Sequence, residues 1–273
     1  MILHRTDEVL EFLNSRDSRR GRDKLRQIMN SLKRIFLRKR IKPIGALLAV
    51  RALLRDPDDT SQVFKVIEAL SGDAIGQTVR RLLDDRSGRE LLASKPNIVT
   101  LLNDRAQLSA MPTGSIGHTY YQFVHGQNLS ADGLVASSAG SRNNQGFSAD
   151  ERWTGDRLRD IHDLQHVLTG YGRDPLGELS LLSFMTTQVP NRGINFIIKM
   201  GKRKFQQEMP ALDIDSLILE GKHLGQQAAW MPAIRWEERL TEPLEDVRAE
   251  LGFIAPKKYL NTKMNQPELF AAA

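Results

Sequence analysis

Two histidines four residues apart, His162 and His166, with Glu178 twelve residues further on, are the group in this chain best suited to chemistry. On a helix, four residues at ~100° each return to within ~40° of the starting direction, so both imidazoles leave from nearly one face. That spacing can grip one metal ion, and the downstream carboxylate can complete the ligand set. The whole chain holds only six histidines, so the pairing is a concentrated signal. Asp163 points ~100° away from His162. It can coordinate from the side, act as a base through a metal-bound water, or orient an imidazole from behind. The sequence has no cysteine, so a bound ion must take nitrogen and oxygen ligands. Two imidazoles and one or two carboxylates leave coordination positions open. Zinc in such a site is a Lewis acid, whereas Fe(II) held by two histidines and a carboxylate is the set used by oxygen-activating enzymes. Mn2+ and Mg2+ also accept these donors.

These residues need two helices to position them. The first is expected from about Gly155 to Thr169, with Leu158, Ile161, Leu164 and Leu168 in one apolar arc and the two histidines at its edge. Gly170-Tyr171-Gly172 supplies a glycine for a left-handed helix end. Asp174 then reads as an N-cap and Pro175 as the first residue of a second helix, which puts Glu178 in its first turn. Elsewhere apolar residues recur at three and four, as in Val9, Leu10, Leu13 and Val63, Val66, Ile67, Leu70. No run of alternating strands is visible. The pattern predicts an all-α, multi-helix single domain with an interhelical metal site. It divides into a basic amphipathic segment (1–42), a helical domain (43–260) and a flexible tail (261–273). Residues 133–148, rich in Gly, Ser and Asn, read as a surface loop.

The net charge of +6 is unevenly placed. Residues 16–42 hold twelve Lys and Arg against Asp17 and Asp23, so this segment carries +10 and the rest of the chain −4. Leu25, Ile28, Met29, Leu32, Ile35 and Phe36 line one side of it at helical spacing. Such a helix can lie among anionic headgroups, where each cation is worth ~1 kcal/mol; it can equally be a solvated helix packed on the domain. No nucleic-acid-binding motif accompanies the charge. The longest apolar run, Ile44 to Leu54, is broken by Arg51 and falls short of the ~20 residues a span requires. No signal or targeting peptide is evident. The expected location is cytoplasmic, peripheral on the inner face of the membrane.

His162-Asp163-x-x-His166 followed by Glu178 resembles the signature of the ubiquinone (coenzyme Q) biosynthesis protein Coq-four family. The similarity extends to Met111-Pro112-Thr113-Gly114-Ser115-Ile116-Gly117 with Tyr120 and Phe123, and to Leu176-Gly177-Glu178. It also takes in Arg235-Trp236-Glu237 and the stretch from Leu244 to Leu251, covering roughly residues 45–252 in the right order. The resemblance implies an all-α fold and a divalent ion, usually taken as zinc, held by His162, Asp163, His166 and Glu178. It implies association with the membrane face where prenylated quinone precursors reside. It also implies removal of the C1 carboxylate of a polyprenylated hydroxybenzoate ring, with oxidation at that carbon, and contact with other quinone-biosynthesis proteins. Gly170 to Pro175 departs from the eukaryotic pattern, which leaves the quinone and the substrate class open.

Further residues are candidates for substrate contact. Arg173, beside the motif, can meet a carboxylate or phosphate. His118 and Tyr120 can line the pocket, although Tyr120, Tyr121 and Phe123 read first as helix packing, and Trp236 as core. A prenyl tail would need an apolar groove, which Leu181, Leu182, Met185, Ile197, Ile198 and Met200 could supply if they are not simply core. The chain is read as a metal-dependent decarboxylase. The alternative is a non-catalytic lipid-presenting scaffold, and a homodimer is compatible with either.

Overall fold

The sequence's helix-capping signals and its buried apolar stripes decide where the chain folds. The computed structural model describes residues 45, 48–49, 60–124 and 147–270. The basic amphipathic segment and most of the 133–148 loop lie outside the described residues. Among those described, no strand forms; one isolated antiparallel bridge joins Ser115 and Pro243.

The first part of the described chain comprises α1 (Thr60–Leu70), α2 (Ala74–Asp84), α3 (Arg86–Ser94), α4 (Ile98–Asn103), α5 (Arg105–Ser109) and α6 (Ile116–Val124). Short polar residues start several of them. Asp85, Asn97 and Asp104 each accept a hydrogen bond from a backbone N–H of the first turn, satisfying donors that a helix leaves unpaired. The start of α6 is tied to a distant segment: the N–H groups of Ile116 and Gly117 donate to the carbonyls of Glu242 and Leu240 at 3.0 and 2.7 Å.

Next come α7 (Ala149–Asp160) and α8 (His162–Thr169). A reciprocal capping box opens α7: Ser148 Oγ accepts from the Glu151 N–H, and the Glu151 carboxylate accepts from the Ser148 N–H. The single helix expected from Gly155 to Thr169 is therefore two helices, and the first begins earlier. Ile161, at φ −86° and ψ 4°, ends one and opens the other. Ile161, Leu164 and Leu168 keep helical spacing in the sequence through the break, so apolar periodicity does not register it. Ile161, Leu164 and Leu168 of the expected arc are fully buried.

The centre of the molecule is α9 (Pro175–Gln188), flanked by α10 (Arg192–Glu208) and α11 (Ile214–Gln227). Its buried residues include Leu176, Leu179, Leu181 and Phe184. Ser180 and Ser183 are buried as well, their hydroxyls donating to the carbonyls of Leu176 and Leu179. These small residues let α11 pack unusually close. A Cβ at Gly221 would come within 2.5 Å of the Ser180 carbonyl oxygen, and one at Gly225 within 2.5 Å of that of Phe184. Leu181 and Ile198 are core, and Leu182, Met185, Ile197 and Met200 are partly buried packing residues.

The chain closes with α12 (Trp236–Arg239), α13 (Leu244–Leu251) and α14 (Lys257–Asn265). Trp236 is fully buried, its indole N–H donating to the Met231 carbonyl at 3.2 Å, which is the core role expected of it. The tail expected to be flexible from residue 261 is instead helical to Asn265, followed by a 3-10 turn at Pro267–Phe270. Leu269 and Phe270 pack on the core, and the Phe270 ring meets Tyr259 edge-on, which gives that short polar segment something to fold against. Among the described residues no helix is long and apolar enough to cross a membrane.

Candidate metal centre

α8 and α9 bring the motif together as their caps predict. Gly170 ends α8 in the left-handed region at φ 81°. Asp174 caps α9, its Oδ1 accepting from the Gly177 N–H at 2.8 Å, and Pro175 occupies the first turn. Glu178 follows in that turn, where the helix dipole favours a carboxylate. Gly177 is required for a steric reason, because a Cβ there would lie 2.2 Å from the Gly172 carbonyl oxygen.

Three side chains converge. His166 Nε2 lies 3.3 Å from His162 Nε2 and 3.2 Å from Glu178 Oε1, and His162 Nε2 lies 3.6 Å from Glu178 Oε2. Zinc–nitrogen distances of about 2.0–2.1 Å place tetrahedral ligands about 3.3–3.4 Å apart, so the residues present fit one small divalent ion. Among the described residues, these three form the cluster whose ligand atoms all lie within 4.8 Å of one another. Asp163 is buried beside them but falls outside that cluster; its charge acts on His162.

The electrostatics match the geometry. Burial disfavours charge on Glu178, but its contacts with His162 and His166 outweigh this and hold it well below the usual carboxylate range. Burial also disfavours the His162 imidazolium, yet the contact and charge of Glu178, helped by Asp163, raise its pKa, with Arg173 acting the other way. The His166 Nδ1 meets the Tyr171 carbonyl at 3.1 Å. A carbonyl only accepts, so Nδ1 carries a proton, and Nε2, 3.2 Å from the Glu178 carboxylate, is the nitrogen that would turn its lone pair to a bound ion. Exposure is graded: the side chains of His166, His162 and Glu178 are 0%, 18% and 37% accessible, so the site opens on the Glu178 side.

The surroundings contain residues that sequence spacing does not reveal. The Phe123 ring stacks on His166 with centroids 5.4 Å apart, and the Arg173 guanidinium sits 5.9 Å above the same ring. Arg173 Nη1 is buried without a hydrogen-bond partner. Arg248 donates from Nε to the Leu168 carbonyl at 2.9 Å and from Nη2 to that of Val167 at 2.7 Å, covering the open C-terminal end of α8. Arg157, 3% exposed, makes a two-pronged pair with Glu237 and donates to the Ile234 carbonyl. Of the other expected substrate residues, Tyr120 is sealed in the core, as its packing reading has it. His118 is half-buried on α6, its N–H donating to Ser115 Oγ. Only its place in a recognised segment could have singled out Arg248.

A family model described as Coenzyme Q (ubiquinone) biosynthesis protein Coq4 matches residues 42–257. The chain belongs to the Coq4 family. The motif helices, Arg157, Arg248 and the 111–117 segment all fall inside the Coq4 match. The chain is 28% identical over 202 residues to the mitochondrial ubiquinone biosynthesis protein COQ4 homolog of Rattus norvegicus, covering 70% of this chain and 72% of that protein. The human homolog is 26% identical over the same shares, and the Penicillium rubens protein is 27% identical over 64% of this chain and 59% of its own. In structure, the chain is similar to a Nostoc punctiforme protein described as a candidate ubiquinone biosynthesis protein. The TM-score is 0.58 at 19% identity, over 79% of this chain and 100% of that one, a likeness of fold.

Proposed function

We propose that this Coq4 family member carries out a metal-dependent step on a polyprenylated hydroxybenzoate ring in coenzyme Q biosynthesis: the bond from C1 to the carboxylate breaks with loss of carbon dioxide and a C1–O bond forms, dioxygen being the two-electron oxidant and leaving as hydrogen peroxide while water supplies the new oxygen. The observation that carries this reading is the convergence of His162, His166 and Glu178 at ion-binding separations, with one side of the cluster accessible. A divalent ion held there supplies Lewis-acid stabilisation of negative charge on the substrate and, if it is iron, a centre for oxygen chemistry. The chain's own residues do the rest. His166 and His162 present their Nε2 lone pairs from the buried side, and Glu178 closes the set. Arg173 binds the ring carboxylate: its buried, unpartnered Nη1 calls for an anion, and its charge already reaches His162. Phe123 offers an aromatic face between the two. Asp163, outside the cluster, orients His162 or accepts a proton. Zinc is the ion the family resemblance implies. The prenyl tail, the membrane surface and other quinone-biosynthesis proteins are the partners of this reading, with the basic 1–42 segment as the contact to the membrane.

Purified protein supplied with dioxygen and, in turn, zinc, iron and manganese should release carbon dioxide from a prenylated hydroxybenzoate with one of these ions, the active ion deciding between Lewis-acid and oxygen-activating chemistry, and His166→Ala should abolish release. Stoichiometric binding of the lipid without release under any ion would replace the enzyme with a lipid-presenting scaffold.

A further inference from the structure

Tyr259 lies on α14, two residues beyond the region that the family model matches. It is 1% exposed, and its hydroxyl is fully used: it accepts from the Gly172 N–H at 2.9 Å and donates to Asp174 Oδ2 in a short hydrogen bond. Its ring also meets that of Tyr171 edge-on, with centroids 5.3 Å apart. One phenol thus grips three residues of the 171–174 loop, whose two ends serve the two halves of the ion site. The Tyr171 carbonyl orients His166 through Nδ1, and Asp174 caps the turn that carries Glu178. α14 is itself anchored from the far side, because the Glu220 carboxylate on α11 accepts from the N–H groups of Lys258 and Tyr259 at 2.7 and 3.1 Å.

We propose that Tyr259 is the positioning residue of the ion site, and that docking of the C-terminal helix sets how tightly the site holds its ion. The proposal rests on the metal reading of His162, His166 and Glu178. Tyr259 touches no ligand atom; it acts by fixing the loop that orients His166 at one end and Glu178 at the other. Partners of this kind behind metal ligands typically change affinity by 10–100-fold when removed.

Tyr259→Phe keeps the ring and deletes both hydroxyl bonds. In the full-length chain, zinc affinity measured by chelator competition should fall about 10-fold or more, while circular dichroism stays unchanged. In ion-free protein, amide hydrogen exchange at Gly177, whose N–H is capped by Asp174, should quicken several-fold. A folded Tyr259→Phe protein with wild-type affinity and wild-type exchange at Gly177 would overturn the proposal. Should that variant not fold, Glu220→Ala loosens α14 without touching the loop; several-fold weaker zinc binding supports the proposal and unchanged binding overturns it. If the wild-type chain binds neither zinc, iron nor manganese, the metal reading fails, and the exchange experiment in ion-free protein still decides whether Tyr259 fixes the 171–174 loop.

Discussion

Two helical pairs in this molecule, α2–α3 and α8–α9, are both joined by short connections and both take contacts from far along the chain, but those contacts fall on different parts of each pair. Asp85 links the first pair locally: its N–H closes α2 on the Leu82 carbonyl at 3.2 Å, and its side chain opens α3 on the Gly88 N–H at 2.8 Å. Distant residues then hold α3 by its side chains, where Ser87 donates to the Ala233 carbonyl at 2.6 Å and Glu90 pairs with Arg235 at 2.9 Å. The ion pair that follows, Arg86–Glu90, is four residues apart and largely exposed. The second pair has good local caps too, and its far contacts come from 80 and 85 residues away, through Arg248 on the end of α8 and Tyr259 on Asp174. In the first pair the distant contacts meet side chains of α3, whereas in the second they meet the helix end and the loop beside the ligand groups. A site that must hold three ligand atoms to within tenths of an ångström draws on the whole fold.

The contrast can be broken first at Gly177. Gly177→Ala forces the 171–174 loop off α9 and should cost about 3 kcal/mol, with loss of ion binding; urea denaturation that matches wild type would mean the loop yields freely. Arg248→Ala comes next. Removing two charged hydrogen bonds to the carbonyls of α8 should cost about 2 kcal/mol, with the loss confined to stability and ion affinity and the helix content preserved by circular dichroism.

A pH titration of the ion-free protein sharpens the electrostatic side. Glu178 is depressed below its ordinary 4.5, so its contribution is present above that pH and is lost as pH falls through the folded value. His162 is raised above its ordinary 6.5, so its contribution is present below 6.5 and is lost as pH rises through the folded value. Thermal stability from this pair should therefore be greatest between pH 4.5 and 6.5, and His162→Ala should flatten the alkaline side. An unchanged profile in that variant would remove the pair from the account. Arg86→Ala, on the first pair, should be the smallest effect: its side chain is 88% exposed, and the change should stay under about 0.5 kcal/mol. A larger loss would show that Arg86 also holds Glu90 in place for Arg235.

Much of the candidate site was legible in the chain. The histidine spacing, the left-handed Gly170, the Asp174-Pro175 start and the first-turn place of Glu178 are all local features, each following from the geometry of a helix or its end. The break at Ile161 was not legible, because the apolar arc runs through it unchanged. Nor was the order of residues 261–270, a polar stretch that folds because Tyr259, Leu269 and Phe270 find partners elsewhere in the chain. Phe123 read only as packing, and its contact with His166 depends on α6 being fastened to the Leu240 and Glu242 carbonyls.

By itself, the sequence determined that the chain is helical, that two imidazoles leave one helical face and that a carboxylate begins the next helix. Those are consequences of spacing along one backbone. Only the tertiary structure decided that Glu178 meets both histidines while Asp163 stays outside the cluster, that Arg173 is left with a buried unpaired nitrogen, and that Arg248 and Tyr259 hold the hairpin from the far end of the chain. Such contacts join residues whose separation in sequence carries no periodic signal, and they form only once the apolar faces of several helices have been buried together.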